Sequence, residues 1–355
     1  MGIIITLMAC YSEDDLTPSG NYSVTKFAFP QGNNAWDMDI KDIHDKYNVY
    51  LIYKEVTFVD LNRQWQSLGT GDQFTGDSLT NEQVPVYVDF LKNHFFAFIS
   101  PEIAQKALPV KIYMLHNFKK VTSNDGTGGT GTGGTGTGGT GTGGTGTGGT
   151  GTGGTGTGGT GTGGTGTGGT GTGGTGGTTD PNFVPLKIDG FDYWAISFTN
   201  DEMSNMDPYS KKVKRNIFFR TFIENAIRKG SITEPAEFKD GMDYKTNFNT
   251  NKPEDPNYYL TRGFLDIFKE QDLSPRTPFF IGEYTGIGYE NPDIYPYADF
   301  VYYIRAAMWY TPDEFEAYYP TAKYPLIKKR YDIVINHLKN TYGIDIQQIA
   351  KGPQE

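Results

Sequence analysis

Lys211-Lys212-Val213-Lys214-Arg215-Asn216-Ile217-Phe218-Phe219-Arg220-Thr221-Phe222-Ile223-Glu224-Asn225-Ala226-Ile227-Arg228-Lys229 is the clearest helix in the middle of the chain. Val213, Ile217, Phe218, Ile223 and Ile227 recur at the spacing that gathers them into one apolar stripe, and Gly230 supplies a left-handed stop. The basic run Lys211 to Arg215 reads as the polar face on which the helix begins. A helix with such a stripe needs partners to cover it, so the flanking segments decide the fold class.

Towards the C-terminus, Tyr297 to Trp309 reads as a second, aromatic-rich helix. Thr311-Pro312-Asp313-Glu314 follows as a fresh helix start, with Thr311 as N-cap and Pro312 in the first turn. Pro325 to Tyr342 is amphipathic and closes at Gly343. Towards the N-terminus, Phe191 to Phe198 and Leu108 to Leu115 read as strands. Glu82 to Phe98 places Val86, Phe90, Phe95 and Phe98 at helical spacing. Asp39 to Lys46 looks helical, and Asn48 to Tyr53 alternates Val49, Leu51 and Tyr53 as a strand does. The class is α+β, with a small N-terminal sheet region and a helical C-terminal half.

Between the two central strands, Gly-Thr-Gly-Gly-Thr repeats ten times from Gly126 to Thr175. A five-residue unit without apolar side chains has nothing to bury, so this is low complexity and not a fold repeat. A Gly-rich coil of that length spans roughly 40 Å. Residues 126–179 are therefore expected to be a disordered loop. It could join two domains or two neighbouring strands of one sheet, since loop closure costs grow only logarithmically with length. No Gly-Lys-Ser/Thr occurs in it, so it is no phosphate cradle.

Without this tract and the first residues, roughly 290 residues remain, enough for a substantial core. The net charge is −10, with 24 Tyr, 23 Phe and 4 Trp, and the pI is about 5.0. Such an acidic balance argues against a nucleic-acid partner. The single cysteine, Cys10, excludes an internal disulfide, and with Cys10 taken by an anchor it excludes thiol catalysis and cysteine zinc sites.

Met1 to Ala9 is a short apolar run ending in Leu7-Met8-Ala9-Cys10, which resembles a bacterial lipobox. It is far below the ~18–20 residues that span a bilayer. No Lys or Arg precedes Cys10, although signal peptides usually open with one. Ser12-Glu13-Asp14-Asp15 follows as an acidic cluster that resembles the export signal of surface lipoproteins. The expected organisation is residues 1–10 as lipoprotein signal peptide and lipobox, 11–30 as acidic surface tether and 31–355 as one domain, interrupted by the 126–179 loop. Cys10 is then the lipid attachment site.

These segments in this order resemble the substrate-import-associated zinc metallohydrolase lipoproteins, a metallopeptidase family found beside SusC/SusD transporters. The resemblance is carried by Cys10 with its acidic followers, Asp45-Lys46-Tyr47-Asn48-Val49, and the strand pair that the family joins by a Gly-rich loop. Glu234-Pro235-Ala236-Glu237-Phe238, Arg262-Gly263-Phe264, Asp299-Phe300 and Tyr342-Gly343-Ile344-Asp345 carry the rest. It implies a zincin-like architecture and zinc as the family cofactor. The family binds zinc through HExxH, two histidines four apart on one helix face and a glutamate that activates water.

Here Arg220 stands at the first histidine, Thr221 at the general base, Glu224 at the second histidine, and Tyr302 at or near the third ligand. A guanidinium has no lone pair for a cation. The four histidines, His44, His94, His116 and His337, include no pair four apart, so no HExxH exists anywhere in the chain. Each reads singly as a structural or surface group. Arg220 and Glu224, spaced i,i+4, are expected to pair where zinc would sit.

The resemblance with its chemistry missing implies no bound cofactor and no catalytic residue. It points to a surface-exposed outer-membrane lipoprotein, an accessory or binding subunit of a SusC/SusD-type, TonB-linked nutrient uptake system. One alternative is an active hydrolase, peptidase or glycosidase, using carboxylates such as Asp299 with Glu290 or Asp293. Another is a surface lipoprotein that binds a glycan or peptide through Tyr295, Tyr297, Trp309 or Tyr310.

Overall fold

A computed structural model of the chain describes residues 25–63, 72–121, 180–188, 190, 192–269, 274–285 and 298–353. Cys10, the acidic cluster and the Gly/Thr tract lie outside them, as do Glu290, Asp293, Tyr295 and Tyr297. Helix α1 runs Ala35–Tyr47, four residues longer at its start than the spacing predicts. The reason is local. The Asn34 backbone N–H donates to Asp37 Oδ2 at 2.9 Å, and the buried Asp37 also accepts from the Tyr53 hydroxyl at 2.8 Å. Asn48 ends the helix in the left-handed region at φ 59°. That bend shortens the predicted strand to β1, Tyr50–Ile52.

A short α2 (Phe58–Asn62) and β2 (Phe74–Asp77) lead to α3 (Val84–His94), which tightens into a 3-10 turn at Phe96–Phe98. After α4 (Pro101–Ala107) comes β3 (Lys111–Lys120), then β4 (Leu186–Lys187) and β5 (Tyr193–Ser197). Strands β1, β3 and β5 are parallel neighbours, β4 runs antiparallel to β5, and β2 pairs antiparallel with the far end of β3. The two strands that the sequence predicts on either side of the tract, β3 and β5, thus lie side by side in one mixed sheet, with β4 on the far side of β5.

Both faces of that sheet are covered, as the pleat sorts them. Leu51, Ile112, Met114, Trp194 and Ile196 face the large helical core. Ile52, Tyr113, Leu115, Tyr193 and Ala195 face a smaller cluster with Phe27, Leu61 and Phe118. The α+β class is as the sequence predicts, with the mixed sheet in the N-terminal part and a helical C-terminal half.

The helical part begins with α5 (Asn200–Asn205) and α6 (Pro208–Arg228). Asp207 caps α6 by accepting from the N–H groups of Tyr209 at 2.8 Å and Ser210 at 3.1 Å. The expected single stripe is too narrow a description of α6. Phe218, Phe219, Phe222, Ile223, Ala226 and Ile227 are buried, whereas Val213 and Ile217 are half-buried. The basic run also departs from expectation, because Lys214 and Arg215 are buried. The cause is that α6 is covered from several sides, by α4, α8 (Ala298–Trp309) and α11 (Ile346–Lys351).

Strands β6 (Ile267–Phe268) and β7 (Pro275–Arg276) form a small hairpin, and α7 (Gly282–Thr285) follows. Helix α9 (Pro312–Tyr318) starts as predicted: Thr311 N–H donates to Glu314 Oε2 at 2.8 Å, and Glu314 N–H to Thr311 Oγ1 at 3.3 Å. Helix α10 spans Pro325–Tyr342 and stops at Gly343, φ 68°. A side chain on Gly343 would be strained by that φ and would come within 3.1 Å of Ser100 Cβ. No helix among the described residues is long and apolar enough to cross a membrane.

Candidate functional site

Helix α8 is the polar hub of the helical half. It packs against α6, α10 and α11 and is buried along almost its whole length. Yet it carries Asp299 and Arg305, both under 5% exposed. Each charge inside such a helix must find a counter-charge or a hydrogen-bond partner, because an unpaired buried ion is costly.

Arg305 finds Glu224 on α6. Its Nε and Nη2 each lie 2.7 Å from Glu224 Oε1, and its Nη1 donates to the Phe268 carbonyl at 2.7 Å. The guanidinium carbon lies 5.8 Å from the Tyr302 ring centre. The Tyr302 hydroxyl donates to the Glu283 carbonyl at 3.3 Å. Two of the four positions singled out from sequence, Glu224 and Tyr302, are therefore brought together through Arg305. Thr221 is buried and Arg220 half-buried on the same helix as Glu224. The guanidinium bonded to Glu224 comes from another helix, where the sequence suggested Arg220 one turn earlier. An i,i+4 pair depends on both side chains leaning along one helix surface, whereas the packing of α8 on α6 brings Arg305 to Glu224 from a second helix.

The donor set does not fit zinc. A site for that ion uses imidazoles, thiolates or carboxylates with lone pairs directed at the metal. Here the positions hold a guanidinium, a hydroxyl, a carboxylate already bonded to Arg305, and a phenol. Among the described residues no three His, Cys, Asp or Glu side chains gather as a metal site. The histidines lie on separate elements: His44 on α1, His94 at the end of α3, His116 on β3 and His337 on α10. His337 Nε2 is 2.7 Å from the Thr233 carbonyl oxygen, which can only accept, so that nitrogen carries the proton.

The second charge on α8, Asp299, faces α10. Its Oδ2 accepts from Arg330 Nη2 at 2.6 Å and from the Tyr244 hydroxyl at 2.8 Å. Arg330 also donates to the carbonyls of Gly263 at 2.6 Å and Phe238 at 3.2 Å, and lies over the rings of Phe238 at 3.9 Å and Tyr303 at 4.7 Å. Burial works most strongly against the Arg330 charge, but the Asp299 carboxylate, together with Tyr303 and Tyr244, outweighs it and holds the guanidinium firmly protonated. Burial, then the same carboxylate, pushes the Tyr244 phenol well up. Asp299 is thus one half of an enclosed ion pair, not an acid or base open to substrate.

A third carboxylate was not signalled by the sequence. Asp266 accepts from the phenols of Tyr259 at 2.7 Å and Tyr319 at 2.8 Å. Burial and this carboxylate push both phenols up, so both remain donors. Nothing in the spacing of residues 259, 266 and 319 could have paired them. Of the aromatics proposed as a binding platform, Tyr310 is buried, and Trp309 is half-buried with the Lys212 ammonium 5.0 Å from its ring centre.

Fold and site together define an α+β protein whose buried helix α8 is tied to α6 and α10 by two ion pairs. No protein-family model matches the chain, and no curated protein matches it. Among solved structures, it is similar to a Bacteroides caccae protein described as a "putative zinc-binding metallo-peptidase". That likeness has 10% identity and a TM-score of 0.40, over 90% of this chain and 92% of the other.

Proposed function

We propose that this chain is a lipid-anchored protein of the outer-membrane surface that does not catalyse. Its role is that of an accessory or binding subunit in a SusC/SusD-type, TonB-linked nutrient uptake system. The observation that carries the non-catalytic part is the Arg305–Glu224 pair. At the helix position where the resembling family keeps a zinc-binding histidine, this chain keeps a carboxylate, and a guanidinium already supplies its positive charge. Zinc and Arg305 would compete for the same oxygen, and the neighbouring Thr221 cannot serve as a general base at neutral pH. The anchoring part rests on Cys10 within Leu7-Met8-Ala9-Cys10, and outward display on the acidic Glu13-Asp14-Asp15.

Three experiments test the anchor, the lack of catalysis and the accessory role separately. Metabolic labelling with a radioactive fatty acid should mark the chain and fail on Cys10→Ser; labelling of the variant would refute the anchor. Casein and mixed glycans incubated with purified protein should remain intact whether or not a chelator is present. Chelator-sensitive cleavage that persists through purification would refute the non-catalytic reading. Affinity purification from solubilised outer membranes should bring down a TonB-linked transporter, and recovery of the chain alone would remove the accessory role.

A further inference from the structure

The buried end of the basic run on α6 has no use in the ion pairs of α8. Arg215 is 3% exposed. Its Nε donates to the Ile349 carbonyl at 2.7 Å, Nη2 to the Ala350 carbonyl at 3.5 Å, and Nη1 lies 3.1 Å from His94 Nδ1. Among the described residues its guanidinium meets no carboxylate, unlike Arg305 and Arg330. A buried cation held only by neutral groups is costly, and an anion nearby would relieve that cost.

The contact with Arg215 fixes the chemistry of His94. A guanidinium only donates, so His94 Nδ1 accepts and the ring proton sits on Nε2. The ring is 5% exposed and stacked on Phe90, with centres 5.3 Å apart. Burial, then the charges of Arg215 and Lys211, pulls its pKa from 6.5 to about 4, against the weaker opposing pull of Asp89. The imidazole is therefore neutral, and no hydrogen bond among the described residues uses its Nε2. A guanidinium on one nitrogen polarises the ring and strengthens the N–H on the other as a donor.

His94 lines a groove of about 380 Å³ between α3 and the α5–α6 segment. Val86, Phe90, Met203 and Met206 give it apolar walls, and Lys211, one turn before Arg215, lies on its rim. Glu202 also lines it, but that carboxylate is bonded to the Lys214 ammonium at 2.8 Å and to the Thr199 N–H. Asp89, the remaining acidic lining residue, is exposed and accepts from Asn93.

We infer that this groove binds a small carboxylate with an apolar tail. The carboxylate accepts from His94 Nε2–H beside Lys211, with Arg215 behind the ring as the buried counter-charge. The tail lies along Met203, Met206 and Val86. This rests on α3, α5 and the start of α6, so its failure leaves the Arg305–Glu224 reading untouched.

The test is calorimetric titration of the full-length chain with hexanoate, with N-acetyl-leucine as a peptide-terminus mimic, and with hexanamide. Both carboxylates should bind saturably, the better one roughly tenfold tighter than the amide, as loss of a charge-assisted hydrogen bond predicts. Lys211→Gln should weaken binding and Asp89→Asn should tighten it; both positions are at the rim, so the fold is kept. On the unmodified chain, carboxylate binding should shift the His94 Nε2 resonance. Equal affinity for hexanoate and hexanamide, no saturable binding of either carboxylate, or binding that leaves His94 Nε2 unmoved would each overturn the inference.

Discussion

Arg305→Met removes the guanidinium from the α6–α8 interface while keeping most of its packing. Glu224, whose side chain is 13% exposed, would then hold a carboxylate that has lost both 2.7 Å bonds. Removing one partner of a buried ion pair costs about 3–5 kcal/mol, most of it the stranded charge. The lost bond to the Phe268 carbonyl adds about 1 kcal/mol. Glu224→Leu strands Arg305 in the same way, although the Phe268 carbonyl still solvates it. The double variant strands nothing, and replacing a whole buried pair by apolar side chains is close to neutral. Urea unfolding of the four chains, followed by circular dichroism, closes a double-mutant cycle. The double variant should be more stable than Arg305→Met, with a coupling of about 2 kcal/mol or more. A loss under about 1 kcal/mol for Arg305→Met, or strictly additive effects, would show that the pair does not organise this interface.

Three further outcomes follow from the same physics. His94 has its pKa lowered from 6.5 to about 4, so between those values the unfolded chain binds a proton that the folded chain refuses. Its stabilisation is complete above pH 6.5 and is lost as pH falls towards 4, by about 3 kcal/mol at 1.36 kcal/mol per unit. Urea midpoints measured from pH 7 to 4 should fall more steeply for the unmodified chain than for His94→Phe. Arg330→Met should cost about 3–5 kcal/mol in thermal or urea unfolding, since it strands the buried Asp299 and also removes the guanidinium that lies over the Phe238 and Tyr303 rings. Thr311→Ala should cost about 1 kcal/mol by the same measurement, because it deletes the N-cap acceptor of α9.

What was legible in the sequence is what local chemistry decides. Helix α10 begins at Pro325 and ends at Gly343 as the pattern predicts, and α9 starts on its Thr311 cap. Both signals act within a few residues. Strand β1 came out shorter than its alternation suggested, because Asn48 turns left-handed after α1. Lys214 and Arg215 show the limit more sharply. Within a basic run they read as a solvated face, and only distant partners reveal their burial: Glu202 for one, His94 and the Ile349 carbonyl for the other. Arg305 sits 81 residues from Glu224, and nothing in either segment names the other. The one available hint was a lone arginine inside the apolar run Val301 to Trp309, a place where a charge must have a buried partner.

At the α6–α8 site a guanidinium, and not a metal ion, bridges the two helices. Quantifying metals in the purified chain after equilibration with zinc and extensive dialysis tests it most directly. Zinc should be found far below one per chain, with unchanged thermal stability when a chelator is added. One tightly held zinc per chain, lost in a Glu224→Ala, Tyr302→Phe double variant, would contradict it.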